Sequence, residues 1–284
     1  MDKLGEVSVK TISLFGHTFT VNPTIITMTW LVMAILVISG FLLTRNLKSI
    51  PTKIQSMGEL VFEFVEDLTL STLGKEDGKP FVPFIFTLFI FILAANWIGI
   101  IPNFFVMIGS LIALIHKLFG GSVEMVINGI TSINIVPNPG SWYYFLFKTP
   151  NFQEPTRSVN TDLAMAVIVF FIVHIYSIRR KGFIEYLKGY WGDVIPCHGW
   201  WLLLFPINLF IPLNIIGEVS SVVSHSFRLF GNIFGGFMIV TIVSSLVKFV
   251  AIPIGLLAFF GLFAGLVQAF VFTMLAITYI GQKA

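Results

Sequence analysis

Charged residues are scarce in this chain and are absent from long stretches of it. Asp, Glu, Lys and Arg make up 11% of the 284 residues, whereas a soluble domain usually carries about 25%. No charged residue occurs between Thr24 and Leu43 or between Phe81 and Ile101. Each stretch has about the 20 residues that an α-helix needs to cross roughly 30 Å of hydrocarbon. The sequence therefore predicts an integral membrane protein.

Further apolar segments predict an all-α membrane protein with about five transmembrane helices and amphipathic surface helices. Leu163 to Ile178 forms a third span. A single helix from Trp200 to Ile252 would be about 80 Å long, so this segment must either break or lie strongly tilted. Candidate breaks are Pro206, Pro212, Gly231, Gly235 and Gly236. Pro253-Ile-Gly255 is predicted to form a hairpin turn before a last helix, Leu256 to Ile280.

Basic residues indicate how the chain is oriented in its membrane. Lys and Arg are concentrated in the loop from Arg45 to Lys79 and in the loop from Arg179 to Lys188. The positive-inside rule makes that side cytoplasmic, so we expect the N-terminus outside and the C-terminus inside a bacterial cytoplasmic membrane. The acidic stretch from Ser56 to Leu73 is predicted to be an amphipathic surface helix.

We expect one membrane domain over residues 1–284. Residues 1–23 form its external N-terminus, residues 24–161 its first spans and loops, and residues 162–284 its ion-translocating core. The stretch from Phe104 to Arg157 is heterogeneous, and Phe104 to Ile115 is its one segment with the pattern of a partial or re-entrant helix.

One arginine lies deep inside the apolar region after Trp200. On a helix at 100° per residue, small and polar residues spaced three and four apart form one stripe with Arg228. The stripe contains Ser221, Ser224, His225, Gly231, Asn232 and Gly235. Small residues let a neighbouring membrane helix approach closely, so Arg228 is predicted to face a partner helix rather than lipid.

A permanent cation at mid-membrane needs compensation, because an arginine there costs about 2.5 kcal/mol or more. Glu218 precedes Arg228 by ten positions, about 15 Å along a helix, so a direct pair is not expected. Two interpretations stay open at this point. Another subunit supplies the anion, or the arginine is structural and is satisfied by Asn232, serines and backbone carbonyls.

Polar residues recur in the otherwise lipophilic helices around Arg228. Buried polar groups in a membrane need partners or water, so each of them could be an interhelical hydrogen-bonding group, and together they favour an ion pathway. These residues are Asn208, Asn214, Glu218, Asn232, Ser244, Ser245 and Gln268, and the predicted polar path also includes Ser224 and His225 of the stripe. His174, in the third span, is predicted to be a hydrogen-bonding core histidine rather than a proton relay.

Several motifs resemble those of subunit a of bacterial F-type ATP synthases. The run Phe227-Arg-Leu-Phe-Gly-Asn-Ile233 is followed by Gln268-Ala-Phe-Val-Phe-Thr-Met-Leu275. The family's other landmarks are matched in order by Trp97-Ile-Gly-Ile-Ile-Pro-Asn103, Pro155-Thr-Arg-Ser-Val-Asn-Thr-Asp-Leu-Ala164 and Tyr176-Ser-Ile-Arg-Arg-Lys-Gly182.

The resemblance implies that the last two helices are long and tilted against a ring of c subunits. It implies that Arg228 is the ion gate and faces the carboxylate of each passing c subunit. Asn232 and Gln268 match polar residues beside that arginine. Positions associated with two aqueous half-channels are matched by Asn160, Asp162 and Glu218. The implied partners are the c-ring, the peripheral-stalk b subunits and the lipid bilayer.

The resemblance implies protons as the transported ion, with sodium as the alternative. Family members often carry a titratable side chain where this chain has Phe237, and some carry a histidine where it has Gly261. Ser221-Val222 replaces a frequent Lys-Pro pair, and His225 replaces a common apolar residue. One half-channel therefore has fewer titratable groups than is usual.

Other classes of function compete with this interpretation. An independent secondary transporter, with Arg228 binding an anionic substrate, would have internal repeats, and an intramembrane enzyme would carry motifs such as paired histidines with a glutamate. Neither pattern is visible. Cys197 is the only cysteine, and no basic run interleaved with aromatics suggests a nucleic-acid partner. The sequence therefore predicts a non-catalytic subunit without a cofactor or metal.

Overall fold

A computed structural model describes residues 10–14, 17–45, 47–101, 103–119, 124–128, 132–136, 140–148, 152–191, 210–246 and 251–283. Cys197, Pro206 and Asn208 lie outside these residues. Within them, five helical segments are long and apolar enough to cross a membrane, namely Pro23–Thr44, Lys75–Leu118, Val159–Lys181, Ile211–Ser244 and Gly255–Lys283. The prediction of an all-α membrane protein with about five transmembrane helices is confirmed.

The helices of the described residues are numbered in chain order. They are α1 (Pro23–Thr44), α2 (Lys53–Leu73), α3 (Lys75–Gly78), α4 (Val82–Trp97), α5 (Phe104–Leu118), α6 (Val159–Lys181), α7 (Phe183–Trp191), α8 (Phe210–Leu246), α9 (Ala251–Ala258) and α10 (Gly265–Lys283). Short 3-10 turns occupy Lys79–Phe81, Ile98–Ile100, Tyr144–Lys148 and Pro155–Arg157, and a π-helical segment, Phe259–Ala264, joins α9 to α10.

Two short antiparallel hairpins accompany the helices. Strand β1 (Lys10–Leu14) pairs with β2 (His17–Val21), with Ile12 opposite Phe19. Strand β3 (Glu124–Asn128) pairs with β4 (Ser132–Val136), with Ile127 opposite Ile133. These hairpins were not predicted from the sequence, and they lie outside the membrane-spanning segments.

The chain forms two compact units, of which the first contains Met1–Leu42, Phe91–Arg157 and Asn232–Val267. In its core, Val32 of α1 packs with Ala95 and Ile98. A second cluster joins Ala113 of α5 to Tyr143 and Leu146. These apolar contacts give the unit its own buried interior.

Helix α5 belongs to this first unit and lies in the heterogeneous stretch between Phe104 and Arg157. The predicted helix from Phe104 to Ile115 is present and continues to Leu118. It begins where the Asn103 side chain accepts hydrogen bonds from the amides of Phe105 and Val106, at 3.1 and 3.3 Å. An asparagine at this position satisfies amides that have no partner inside the helix.

The second compact unit contains Leu43–Ile90, Ser158–Gly231 and Gln268–Ala284. The predicted amphipathic helix is its α2, which buries Val65 and Thr69. Phe64 of this helix contacts Phe89 of α4 and Phe270 of α10. The division of the chain into residues 1–23, 24–161 and 162–284 stays a prediction.

Single glycines separate α2 from α3 and α6 from α7 in this unit. Gly74 after α2 and Gly182 after α6 both have φ +83°, a conformation that glycine adopts without steric cost. The last turn of α6 carries Arg179, Arg180 and Lys181, whose positive charges complement the negative end of the helix dipole.

The region predicted to break or tilt contains one helix of 37 residues, α8. It continues through Gly231, Gly235 and Gly236, so these candidate breaks are not used. Pro212 lies in its first turn, where the missing N–H of proline would have had no helical partner. At 1.5 Å per residue, 37 residues correspond to about 55 Å, more than the hydrocarbon thickness of about 30 Å, and the tilted course of this segment stays a prediction.

The predicted hairpin turn at Pro253-Ile-Gly255 is wrong. Those residues lie inside α9, which begins at Ala251 rather than at Leu256. Pro253 falls in the first turn of α9, and proline is compatible with a helix there for the same reason as Pro212. The sequence signal was that of a helix start, and it was interpreted as a turn.

Candidate functional site

Arg228 lies midway along α8, and its side chain is exposed. Its neighbour Leu229 is fully buried and Ser226 is 1% exposed, so the arginine belongs to the face of α8 that the second unit leaves uncovered. Among the residues that the structure describes, no Asp or Glu forms an ion pair with it. The chain therefore supplies no counter-charge for Arg228 within its described part.

Glu218 is the centre of a polar cluster in the second unit. His174 Nε2 of α6 lies 2.7 Å from Glu218 Oε2, and the Tyr190 hydroxyl of α7 donates to Glu218 Oε1 at 2.5 Å. The Lys283 ammonium of α10 donates to the same Oε1 atom. Only 12% of the Glu218 side chain is exposed. One carboxylate thus contacts side chains from three other helices, and the Tyr190 hydroxyl and the Lys283 ammonium donate hydrogen bonds to it.

A second layer of groups supports this cluster from α7. The hydroxyls of Tyr186 and Tyr190 are 2.6 Å apart, and Asn214 Nδ2 donates to the backbone carbonyl of Tyr190 at 3.0 Å. Burial raises the pKa of the Tyr190 hydroxyl, and its hydrogen bond to Glu218 adds to the effect. Burial also raises the pKa of Tyr186. Both tyrosines therefore remain neutral donors throughout the physiological pH range.

His225, one turn before Arg228, faces into the second unit. Its Nδ1 lies 2.7 Å from the carbonyl of Ser221, and its ring meets that of Phe272 edge-on, with centroids 5.6 Å apart. Gln268, one turn before Phe272 on α10, is 5% exposed. His225 Nε2 and Gln268 Nε2 are buried without a hydrogen-bond partner among the described residues. With Nδ1 of His225 donating to the Ser221 carbonyl, its Nε2 can accept a hydrogen bond from water, and the Gln268 amide nitrogen can donate one.

Asp162 lies in the first turn of α6 and is completely buried. Neither of its carboxylate oxygens has a hydrogen-bond partner among the residues that the structure describes. Asn160, also in that turn, has an exposed side chain. A buried carboxyl group needs a proton, a cation or water to offset its lost hydration, so Asp162 is a site where one of these would bind.

In the first unit, the π-helical segment before α10 is held by side-chain donors. Asn232 Nδ2 donates to the carbonyl of Ala264 at 3.3 Å, and Trp97 Nε1 donates to the carbonyl of Leu262 at 3.2 Å. Asn96 Nδ2 donates to the carbonyl of Gly265 at 2.9 Å and accepts from Thr156 Oγ1 at 2.7 Å. In a π-turn the backbone carbonyls pair with other amides than in an α-helix. These side chains donate hydrogen bonds to carbonyls within and next to that turn.

Phe237, which stands where the family often has a titratable residue, is covered by a cation in the first unit. The Arg157 guanidinium lies 3.6 Å from the centroid of its ring. Burial lowers the pKa of Arg157, and nearby Glu154 partly offsets this effect. Burial raises the pKa of Glu154, opposed by a backbone hydrogen bond and by Arg157. The aromatic ring thus takes part in a cation–π contact.

The structure brings together only some of the residues predicted from the sequence. Asn214 and Glu218 meet at the tyrosine pair, and His174 does form the hydrogen bonds that were predicted for it. Ser224 and Arg228 are exposed on α8. The sequence analysis missed Tyr190 and Lys283, although the i, i+4 spacing of the two tyrosines on α7 was visible. No group of three His, Cys, Asp or Glu among the described residues could hold a metal ion.

Comparison with known proteins gives this arrangement a family. A family model described as ATP synthase A chain matches residues 26–281, which include most of α1, all of α8 with Arg228, and the Glu218 cluster except Lys283. The chain belongs to this family. The resemblance inferred from the sequence motifs is confirmed.

Curated relatives carry the same description. Proteins named ATP synthase subunit a from Geotalea daltonii and Geobacter sulfurreducens are each 34% identical to the chain, and that from Geotalea uraniireducens is 33% identical. Each alignment covers 253 residues, 89% of this chain and 83% of the relative. As a member of the ATP synthase A chain family, the chain is a multi-pass, non-catalytic subunit of the membrane sector that works in a complex with other subunits.

Proposed function

We propose that the chain passes protons between two aqueous half-channels and a ring of c subunits, and so drives the rotation that powers ATP synthesis. The observation that carries this proposal is Arg228, exposed in the interior of α8 without an anion among the described residues. An arginine at mid-membrane requires compensation. A carboxylate on a passing c subunit would provide it.

The chemistry follows from the two charges. A carboxylate that faces a guanidinium favours its ionised form, so a c subunit must release its ion before it passes Arg228. It then takes up a new ion from the other half-channel and turns back into lipid as a neutral group. Arginine suits this role because its guanidinium stays charged at any working pH. It therefore cannot relay a proton directly from one half-channel to the other.

We assign the two half-channels to opposite ends of α6. Asp162 and Asn160 lie in its first turn, whereas His174, which contacts Glu218, lies twelve residues later, about 18 Å along the helix. With the basic end of α6 on the cytoplasmic side, Glu218 and Asn214 belong to the cytoplasmic half-channel and Asp162 to the outer one. The remaining proposed polar lining consists of Ser224, His225, Asn232 and Gln268.

The same topology gives the proposed surroundings of the chain. The N-terminus lies outside and the C-terminus in the cytoplasm of a bacterial cell, with the c-ring against α8 and α10 and the b subunits of the peripheral stalk as further partners. The length of α8, about 55 Å, supports a tilted course along a ring, because an upright helix would project beyond the hydrocarbon.

Sodium is the second candidate ion, and one contact favours it. Phe237 offers no titratable group, and the cation stacked on it is Arg157, which does not relay protons. Among the described residues around this ring, a chain of proton-relaying groups would therefore have fewer members than it would with a titratable side chain at position 237.

Substitution of Arg228 by alanine in the assembled complex tests the proposal. The complex is reconstituted in liposomes, and ATP synthesis is driven by a proton gradient and, separately, by a sodium gradient. We expect Arg228→Ala to abolish synthesis while assembly is retained, and Arg179→Ala, a matched change at an exposed arginine of α6, to leave it intact. The gradient that drives the unmodified complex identifies the ion. Substantial synthesis by Arg228→Ala would refute the gating role.

A further inference from the structure

We propose that Lys283 is a displaceable cation that competes with the transported ion for Glu218. The inference rests on the proposed function, because Glu218 must lie on the path of the ion for the competition to matter. It assigns a positioning role to a residue that the motifs did not indicate.

Lys283 is fixed at both of its ends. Ser177 Oγ of α6 donates to its backbone carbonyl at 3.0 Å, which anchors the last turn of α10. Its ammonium donates to Glu218 Oε1 and lies 4.8 Å from the centroid of the Tyr190 ring. The Lys283 side chain is 29% exposed, against 12% for Glu218. The ammonium therefore covers the carboxylate on its more accessible side.

The groups that face Glu218 differ in whether they can leave it. His174 comes from α6, and Tyr190, backed by Tyr186, comes from α7. From α10 come Lys283 and, behind His174 at a ring separation of 6.3 Å, Tyr279. Lys283 is the one lysine or arginine among the described side chains that contacts Glu218. A flexible four-carbon stem lets a lysine ammonium move away while its backbone stays fixed.

Exchange of one cation for another keeps the buried carboxylate compensated. When a proton or sodium ion reaches Glu218, the Lys283 ammonium swings outward, and when the ion leaves, the ammonium returns. An uncompensated buried charge would be costly at either stage. The tethered ammonium also weakens ion binding, since the ion must displace it, and so prevents the ion from being trapped on its way through the protein.

The complex is reconstituted in liposomes with its ATPase side outward, and ATP-driven uptake of protons and, separately, of sodium ions is measured. The concentration of the ion on the outer side is varied in each series. In Lys283→Met, the concentration at half-maximal uptake should fall about tenfold or more, as expected for removal of a neighbouring charge, and the maximal rate should fall because release is slower. Lys283→Arg keeps the charge and should restore the unmodified curve. Lys188→Met, at an exposed lysine of α7, should leave the curve unchanged.

An unchanged half-maximal concentration in Lys283→Met, with or without a lower maximal rate, overturns the proposal. Failure of both Lys283→Met and Lys283→Gln to assemble also overturns it, because Lys283 would then be a structural anchor. Arg228→Ala in the same preparation separates the two hypotheses. Uptake by that complex would refute the proposed function, whereas its loss beside an unchanged Lys283→Met curve would refute the role of Lys283 alone.

Discussion

Replacement of Tyr190 by phenylalanine removes one hydroxyl group from the contact between α7 and α8. That hydroxyl donates to Glu218 Oε1 at 2.5 Å. A hydrogen bond to a charged group contributes about 1.5–3 kcal/mol, and because Glu218 keeps His174 and Lys283 as donors, we expect the lower value, about 1.5 kcal/mol. Since 1.4 kcal/mol corresponds to a factor of ten, local opening of α7 should become about tenfold more frequent.

Hydrogen exchange of backbone amides, followed by mass spectrometry on the assembled complex, measures that opening. Exchange in residues 183–191 should accelerate about tenfold in Tyr190→Phe and less in Tyr186→Phe, which removes a bond between two neutral hydroxyls, worth about 0.5–1.5 kcal/mol. Exchange in α2 serves as the internal control. If α7 of Tyr190→Phe exchanges at the unmodified rate, the hydroxyl of Tyr190 does not hold α7 on Glu218.

Two further predictions concern the tyrosine pair and the first unit. Because the raised pKa of Tyr190 means that the folded state favours the neutral hydroxyl, its contribution to stability is complete below the ordinary tyrosine pKa of about 10 and is lost only above it. In an ultraviolet titration, Tyr190→Phe should therefore leave the tyrosinate signal at about pH 10 unchanged. A signal smaller by about half a tyrosine, which is what an ordinary tyrosine contributes at that pH, would contradict this. Asn96→Leu leaves Thr156 Oγ1 and the Gly265 carbonyl without a side-chain partner. We therefore expect the free energy of local opening of the segment around residue 262 to fall by about 2–4 kcal/mol. Exchange there should accelerate more than tenfold, and more than in Thr156→Val, which removes one of the two bonds.

The spans were predictable because their signal is physical and local. A run without charges from Thr24 to Leu43 has few alternatives to a membrane helix, and α1 follows it closely. Pro253 misled the analysis, since a proline that starts a helix and a proline in a turn share the same fixed φ. The hairpins escaped prediction because each of their strands has only five residues.

The site was predictable where a motif lies on one helix and not where helices meet. Arg228 and its stripe follow from spacing along α8 alone. The Glu218 cluster depends on α6, α7, α8 and α10 coming together, and no spacing in the sequence indicates that Lys283 reaches a residue so far before it. Tyr190 was passed over because it follows a segment that was interpreted only as a basic loop, Arg179 to Lys188, whereas its hydroxyl donates to a carboxylate.

The π-helical segment Phe259–Ala264 limits insertions and deletions between α9 and α10. A π-turn accommodates one more residue than an α-turn, which rotates the following helix by about 100° relative to an unbroken α-helix. Deleting one residue from this segment would restore α-geometry there while turning α9 against α10 by that angle. The carbonyls bound by Asn96, Trp97 and Asn232 would then point elsewhere. The number of residues in this turn is therefore under constraint even where the identity of each residue is not.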